Sequence, residues 1–253
     1  MEPNVEPLDI HPFYGRRVAE ARGVWHLATR VLPLHTLLPV LAELRLAWVR
    51  WTSRHTPVRY AQLTDQLINL GSGGRGKPGW INVDVCPAPG VTCTFDCRKR
   101  LPFADNTARG IYTEHFFEHI DYTEEAPHFL SECRRVLKPG GVLRIVVPDA
   151  EKYIRAYCEA GWDTMSRVRG LDATHFDPYA ECRYHTKMEL LNEVFRQAFE
   201  HKFAYDFETL AFLLGKYGFS RVVHQEYGRS LLTDLCIDQE RRASESLYID
   251  AVK

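Results

Sequence analysis

The stretch Gln66-Leu67-Ile68-Asn69-Leu70-Gly71-Ser72-Gly73-Gly74-Arg75-Gly76 decides how the rest of the chain is read. A short, mostly apolar run enters a glycine cluster, the pattern of a buried strand followed by a tight turn. Gly71, Gly73 and Gly76 satisfy G-x-G-x-x-G. In a dinucleotide site that pattern opens a helix whose N-terminus holds a pyrophosphate, with an acid about 20 residues further on. Here Lys77-Pro78-Gly79-Trp80 follows at once, and a second alternating run, Ile81-Asn82-Val83-Asp84-Val85, begins directly. No crossover helix of normal length fits between them. NAD is thereby disfavoured, and no Walker-type G-K-[ST] occurs elsewhere. The turn suits a ligand that lies against backbone without needing a phosphate cradle.

Working outward, Val91 to Phe95 is β-branched and stops at Asp96, and Gly110 to Thr113 reads as a fourth short strand. Thr123 to Leu137 is the clearest helix. Ala126, Phe129, Leu130, Cys133, Val136 and Leu137 share one face, and Asp121 and Thr123 are available as caps. Lys138-Pro139-Gly140-Gly141 stops it, and Val142 to Val147 then reads as a buried strand. Helical patterns over 151–160, 187–200 and 206–216 follow, with alternating runs over 221–227 and 246–252. Strands alternating with helices predict an α/β fold with a mostly parallel, doubly wound sheet of Rossmann-like type. Ligands of such sheets bind outside the carboxyl ends of the strands. The residues to inspect are therefore 71–74, Asp84, Asp96, 114–119 and Asp149.

The sequence has 253 residues and a net charge of −1, which suits one large domain with an extension and argues against a wholly basic nucleic-acid module. Residues 1–65 read as a helical N-terminal extension, 66–253 as the main domain, and 161–205 as an insertion or lid without clear period at its start. Between His11 and Tyr60 eight arginines face two acids, interleaved with apolar residues. Leu37, Leu41, Leu44, Trp48 and Trp51 follow helical spacing, while Pro33 and Pro39 are expected to divide the segment into two short helices. The stretch 11–60 is either packing surface or a basic amphipathic patch for peripheral contact with a membrane. The opening Met1-Glu2-Pro3-Asn4-Val5-Glu6-Pro7 lacks a signal-peptide pattern, so the expected location is the cytoplasm, with the patch able to meet the inner face of the membrane. Seven cysteines without a C-x-x-C pair read as reduced, mostly buried thiols.

An acid ending strand two can accept from ribose hydroxyls, and one ending strand three can accept from an exocyclic amine. One glycine turn plus two strand-end carboxylates describes a nucleoside site without a phosphate binder. At this point the residues resemble the class I S-adenosylmethionine-dependent methyltransferases. The motifs are Leu70-Gly71-Ser72-Gly73, then Gly79-Trp80-Ile81-Asn82-Val83-Asp84, then Phe95-Asp96 with Leu101-Pro102-Phe103-Ala104-Asp105-Asn106. Glu114-His115-Phe116-Phe117-Glu118-His119 and Arg134-Arg135-Val136-Leu137-Lys138-Pro139-Gly140-Gly141 follow in the same order. The resemblance covers about 66–253 and implies an antiparallel last strand. It also implies S-adenosylmethionine as cofactor, with Gly71, Ser72 and Gly73 at its methionine part, Asp84 at ribose and Asp96 at adenine. Glu114 and His115 would flank the sulfonium. The chain departs from that pattern in its abbreviated helix after the glycine turn and in Arg109-Gly110, where an acid is usual.

His115-Phe116-Phe117-Glu118-His119 also spells H-x-x-E-H, a zinc-protease pattern that needs one regular helix through all five residues. His115 falls where strand four should end, so that reading is set aside. Glu114, Glu118 and His119 resemble a carboxylate–histidine set that holds a divalent ion in some class I methyltransferases, but packing is the more usual role and no metal is expected. A hydroxyl acceptor gains from a base near neutrality, for which His115 and His119 are the first candidates and His175, His185 and His201 the next. The insertion mixes Trp162, Phe176, Tyr179 and Tyr184 with charges, a wall that suits a polar, ring-shaped acceptor. The resulting expectation is O-methylation of a small or glycosylated acceptor, with no nucleic acid as partner. The resemblance also links such enzymes to surface-polysaccharide or glycolipid synthesis. The rivals are a degenerate, non-catalytic cofactor-binding or scaffold protein, and an RNA-end methyltransferase.

Overall fold

The computed structural model describes residues 34–60, 62–197 and 200–253. The run that enters the glycine cluster is strand β1 (Gln66–Leu70), followed by β2 (Ile81–Asp84), β3 (Cys93–Thr94), β4 (Ala108–Glu114) and β5 (Leu137–Pro148). A small hairpin, β6 (Phe176–Asp177) and β7 (Cys182–Arg183), stands apart, and β8 (Arg221–Gln225) and β9 (Ser246–Val252) complete the large sheet. The sheet order is β3-β2-β1-β4-β5-β9-β8. The β1/β2, β2/β3, β1/β4 and β4/β5 pairs are parallel, and β9 runs antiparallel to both β5 and β8. The fold is the Rossmann-like sheet expected from the sequence, closed by an antiparallel last strand. Chain direction across the sheet reverses between β1 and β4, the switch point at which ligands of such folds bind.

Residues 71–80 join β1 to β2 through turns alone, as the short spacing demanded. Loops likewise carry the chain from β2 to β3 and from β3 to β4, and a helix makes the next crossing. Helix α3 (Glu125–Val136) links β4 to β5 and buries Ala126, Phe129, Leu130, Cys133 and Val136 on the face its periodicity marked. Asp149 caps α4 (Ala150–Cys158), accepting from the N–H groups of Glu151 and Lys152 at 3.1 and 3.2 Å. That carboxylate at the end of β5 serves the helix. The main core joins α3 and α7 (Phe207–Lys216) to one face of the sheet through Ile68, Ile111, Phe129, Leu143, Leu214 and Ile249. On the other face Leu67, Tyr112, Val146 and Tyr248 are covered by Leu232 and Leu235 of the loop before β9.

The segment expected to lack clear period contains α5 (Asp163–Arg169) and the β6/β7 hairpin, and α6 (Lys187–Arg196) follows. Met165, Tyr184, Leu190 and Val194 pack with Tyr153 and Ala156 of α4 as a second apolar cluster. Arg169 ties this unit to the loop before β9, bonding Asp177 at 2.7 Å and Glu245 at 2.6 Å.

The N-terminal reading needs a correction. Helix α1 (Leu34–Thr52) runs through Pro39, where a break was expected. A proline so near the start removes one intrahelical bond to a carbonyl of the first turn and leaves the following turns intact. The earlier apolar positions, Val24 to Leu32, and the arginines Arg16, Arg17, Arg22 and Arg30 of the basic patch lie outside the described residues. With α2 (Thr56–Tyr60), α1 rests beside β3. The Tyr60 hydroxyl donates to the Thr92 carbonyl at 3.0 Å, and its ring meets Phe103 edge-on at 5.4 Å.

Candidate active site

The turn after β1 folds back onto the end of β2. Gly71 and Ser72 both donate their N–H groups to the Val83 carbonyl, at 2.9 and 3.1 Å. Gly73 N–H donates to Asp84 Oδ2 at 2.8 Å, and Cys86 N–H to Asp84 Oδ1 at 2.8 Å. Each carboxylate oxygen of the partly exposed Asp84 thus has one partner and keeps room for a second donor. Gly71 has φ +72°, and a Cβ there would lie 2.6 Å from Phe116, so the chain leaving β4 presses directly on the turn leaving β1. Gly73, at φ +51°, has nothing within 4 Å of where its Cβ would stand. This open backbone is a cradle a ligand can approach.

The acid after β3 is differently placed. Asp96 is buried, and its Oδ1 accepts from Arg98 N–H and Arg98 Nε, both at 3.1 Å. Its Oδ2 accepts from Arg50 Nε of α1 at 2.8 Å and from an Arg98 terminal nitrogen at 3.3 Å. Burial works to raise its pKa, yet the two arginines and the backbone N–H hold it below the ordinary carboxylate value. All the acceptor directions of Asp96 are spent on these bonds. The neighbouring Cys97 is buried, and burial pushes its thiol pKa well up.

At the end of β4, Glu114 accepts from the backbone N–H of Gln239 at 3.0 Å and from its side-chain amide. His115 takes φ +50°, an uncommon conformation for a side chain of this size. Its Nε2 lies 2.9 Å from Ser246 Oγ, and its Nδ1 lies 2.7 Å from Arg242 and 3.2 Å from Glu118 Oε1. An arginine only donates, so Nδ1 carries a lone pair and Nε2 the proton. Burial first, then Arg242, keep the imidazole neutral by lowering its pKa well below the usual histidine value. Both ring nitrogens of His115 are thus engaged by neighbouring side chains.

The chain then makes a 3-10 turn, Phe117–His119. Glu118 is 2% exposed, and neither of its carboxylate oxygens has a hydrogen-bond partner. Burial pushes its pKa up to about 8. Its backbone carbonyl accepts from Lys202 N–H at 2.7 Å, which pins the segment after α6 against the turn. That contact brings the His201 ring to 4.6 Å from the His119 ring, edge to face. His201 Nδ1 lies 2.6 Å from the Val194 carbonyl, so Nδ1 carries the proton and Nε2 is the open nitrogen, 3.9 Å from Glu118 Oε1. Burial first, then His119, lower the His201 pKa to about 3.

Gly71, Ser72, Gly73 and Asp84 are thus joined by hydrogen bonds, and His115 and His119 flank one buried carboxylate. Glu114 is engaged by Gln239, and Asp96 is enclosed by arginines. His175 lies away from this edge, stacked on Trp162 at 4.0 Å, and His185 is exposed beside Glu189. Sequence reasoning missed Gln239, Arg242 and Ser246, which reach the site from 125, 127 and 131 residues away. No local pattern marks them.

The glycine turn after β1 and the carboxylate ending β2 meet at the carboxyl edge of the parallel strands. A family model described as a methyltransferase domain matches residues 86–145. The fold is similar to a SAM-dependent methyltransferase from Archaeoglobus fulgidus at 20% identity, covering 82% of this chain and 94% of that one with a TM-score of 0.46. It is also similar to a SAM-dependent methyltransferase from Thermotoga maritima, described as a possible histamine N-methyltransferase, at 16% identity, 85% and 96% coverage and a TM-score of 0.47. A third likeness is to the Burkholderia thailandensis 1,6-didemethyltoxoflavin-N1-methyltransferase, solved with its substrate and S-adenosylhomocysteine, at 13% identity, 99% and 93% coverage and a TM-score of 0.43. No curated protein matches the chain. The family model spans less than half of the chain. None of these likenesses specifies the acceptor.

Proposed function

We propose that this enzyme moves the methyl group of S-adenosylmethionine to an oxygen of a small or glycosylated acceptor. The observation that carries the cofactor reading is the clasp between Gly73 N–H and Asp84, which sets an open glycine backbone and a carboxylate with spare acceptor capacity side by side. S-adenosylmethionine supplies an electrophilic methyl group on a sulfonium. In this reading Gly71, Ser72 and Gly73 bound its methionine side, Asp84 accepts from the ribose, and Glu114 and His115 stand where β4 delivers the chain to the reacting centre. Transfer from a sulfonium disperses charge, so the protein's work is alignment and exclusion of water. His115 orients, being neutral and bonded on both nitrogens, and His119 faces the acceptor.

The acceptor wall is proposed to come from 161–205 acting as a lid, together with the loop before β9. Tyr179 is half exposed, and Arg241 and Arg242 lie 4.4 and 5.2 Å from its ring centre. An aromatic face flanked by cations suits a polar ring bearing hydroxyls or acidic groups. Helix α1 exposes Leu44, Trp48 and Trp51 on one side, beside Arg45 and Arg54. This supports peripheral contact with an anionic membrane through residues 11–60, which co-sedimentation with anionic vesicles checks. Among the described residues no helix is long and apolar enough to cross a membrane.

Titration of the intact protein with S-adenosylhomocysteine tests the cofactor site. Asp84→Ala should weaken binding by roughly tenfold or more, the loss expected for a charge-assisted hydrogen-bond pair. Unchanged affinity would remove Asp84 from the site. The acceptor is sought by incubating the enzyme with labelled S-adenosylmethionine and a fractionated host extract and asking by mass which component gains a methyl group. One observation favours a rival, a non-catalytic scaffold. The carboxylate of Asp96, proposed for adenine, is held by Arg50 and Arg98. Absence of S-adenosylhomocysteine binding by the intact protein supports that rival.

A further inference from the structure

We propose that Glu118, His119 and His201 form a binding site for one divalent transition cation of the zinc class, with a coordination position left open. Each residue offers one ligand atom, and these atoms all lie within 4.8 Å of one another. Tetrahedral zinc with bonds near 2.0–2.1 Å places its ligand atoms roughly 3.4 Å apart, so small side-chain rotations close the set. Two imidazoles and one carboxylate are a donor set for zinc, iron or cobalt, whereas magnesium and calcium prefer oxygen alone.

Three further features point to a cation. First, both oxygens of Glu118 are buried without a hydrogen-bond partner. A buried carboxylate in that condition is costly unless a proton or a metal compensates it. Second, the nearest neighbour in the protein cannot compensate it. His115 Nδ1 stands 3.2 Å away, but its one lone pair is taken by Arg242, so it has no proton to give the carboxylate. Third, His201 is prepared as a ligand. Its Nδ1–H is fixed on the Val194 carbonyl, which leaves the neutral Nε2 directed toward Glu118. A backbone carbonyl on the far nitrogen is the usual device for orienting a metal-binding imidazole.

The three ligands belong to two chain segments held together by the Lys202 N–H to Glu118 carbonyl bond, at the carboxyl edge beside β4. A cation there would present its open position to the site's interior and lower the pKa of a bound hydroxyl. That last role rests on the proposed function, while cation binding does not.

The test is calorimetric titration of the intact, chelator-treated protein with zinc, paired with cobalt absorption as a spectroscopic readout of nitrogen and oxygen ligands. One zinc per chain is expected, and Glu118→Gln and His201→Ala should each weaken binding by roughly tenfold or more. Circular dichroism and S-adenosylhomocysteine titration on the same samples report whether each variant folds; should His201→Ala misfold, His201→Gln and His119→Gln replace it. No stoichiometric zinc, or zinc binding that all of these folded variants retain, overturns the proposal. Zinc binding without S-adenosylhomocysteine binding upholds the metal site and defeats the methyl-transfer reading. The reverse result defeats the metal site alone.

Discussion

At the scale of single residues, Gly71 and Arg144 show two different constraints. Gly71 holds a positive φ and faces Phe116 at a distance no Cβ tolerates. Gly71→Ala should therefore lower stability by about 1–3 kcal/mol, visible as a thermal midpoint several degrees below wild type; an unchanged midpoint would show that Phe116 yields freely. Arg144 is fully buried within β5 between two fully buried carboxylates, bonding Asp250 at 2.9 Å and Asp238 at 2.6–2.8 Å. Arg144→Met leaves those two acids in a dry interior without a cation, a change of about 3–5 kcal/mol. Adding Asp238→Asn and Asp250→Asn should restore much of the loss, and urea denaturation of the single and triple variants measures it. The glycine was legible in the sequence because turn chemistry is local. The arginine's role was not, since one Arg inside an otherwise apolar strand names no partner and its carboxylates lie 94 and 106 residues away.

At the scale of elements, α1 is the piece whose role differs most from its reading. Its apolar spacing predicts a helix, but nothing in the spacing shows that Arg50 reaches across to Asp96. The contact ties the extension to the strand end proposed for adenine. If Arg50 occupies the place of that base, Arg50→Ala should raise affinity for S-adenosylhomocysteine, and calorimetry on the intact protein reads it. Weaker binding would instead make Arg50 part of the pocket wall, and equal binding would place it outside the pocket. Helix α3 was readable almost to its ends from its periodic face, and α7 from its face together with a cap. Asp206 accepts from Thr209 N–H at 2.8 Å to start α7, as an N-cap should. The segment 161–205 was opaque for the opposite reason. Its short helix and two-residue strands carry too few turns for a period to show, and its order comes from packing on α4.

At the scale of the whole molecule, several acids are held below their ordinary pKa by donors that exist only in the fold. Burial raises Glu132, but Arg135 and the Leu101 N–H outweigh it, and bonds from Thr209 lower Asp206. Groups depressed in the folded state contribute stability above the unfolded value, near about 4, and that contribution disappears as pH falls through the folded value. The contribution of these acids should thus be lost below about pH 4, where Glu132→Gln should flatten the drop in thermal midpoint, while His115 and His201, lowered in the fold, begin a fall below about pH 6.5 that the raised Glu118 opposes. A midpoint indifferent to acid would contradict the bonding described.

The place of β9 between β5 and β8 has a consequence for biogenesis. As the polypeptide leaves the ribosome, the parallel half of the sheet can assemble while one edge of β5 still lacks its neighbour. The Arg144 guanidinium likewise waits for Asp250, 106 residues later. An exposed, hydrophobic strand edge recruits other chains, so nascent molecules halted before Ser246 should aggregate or engage chaperones.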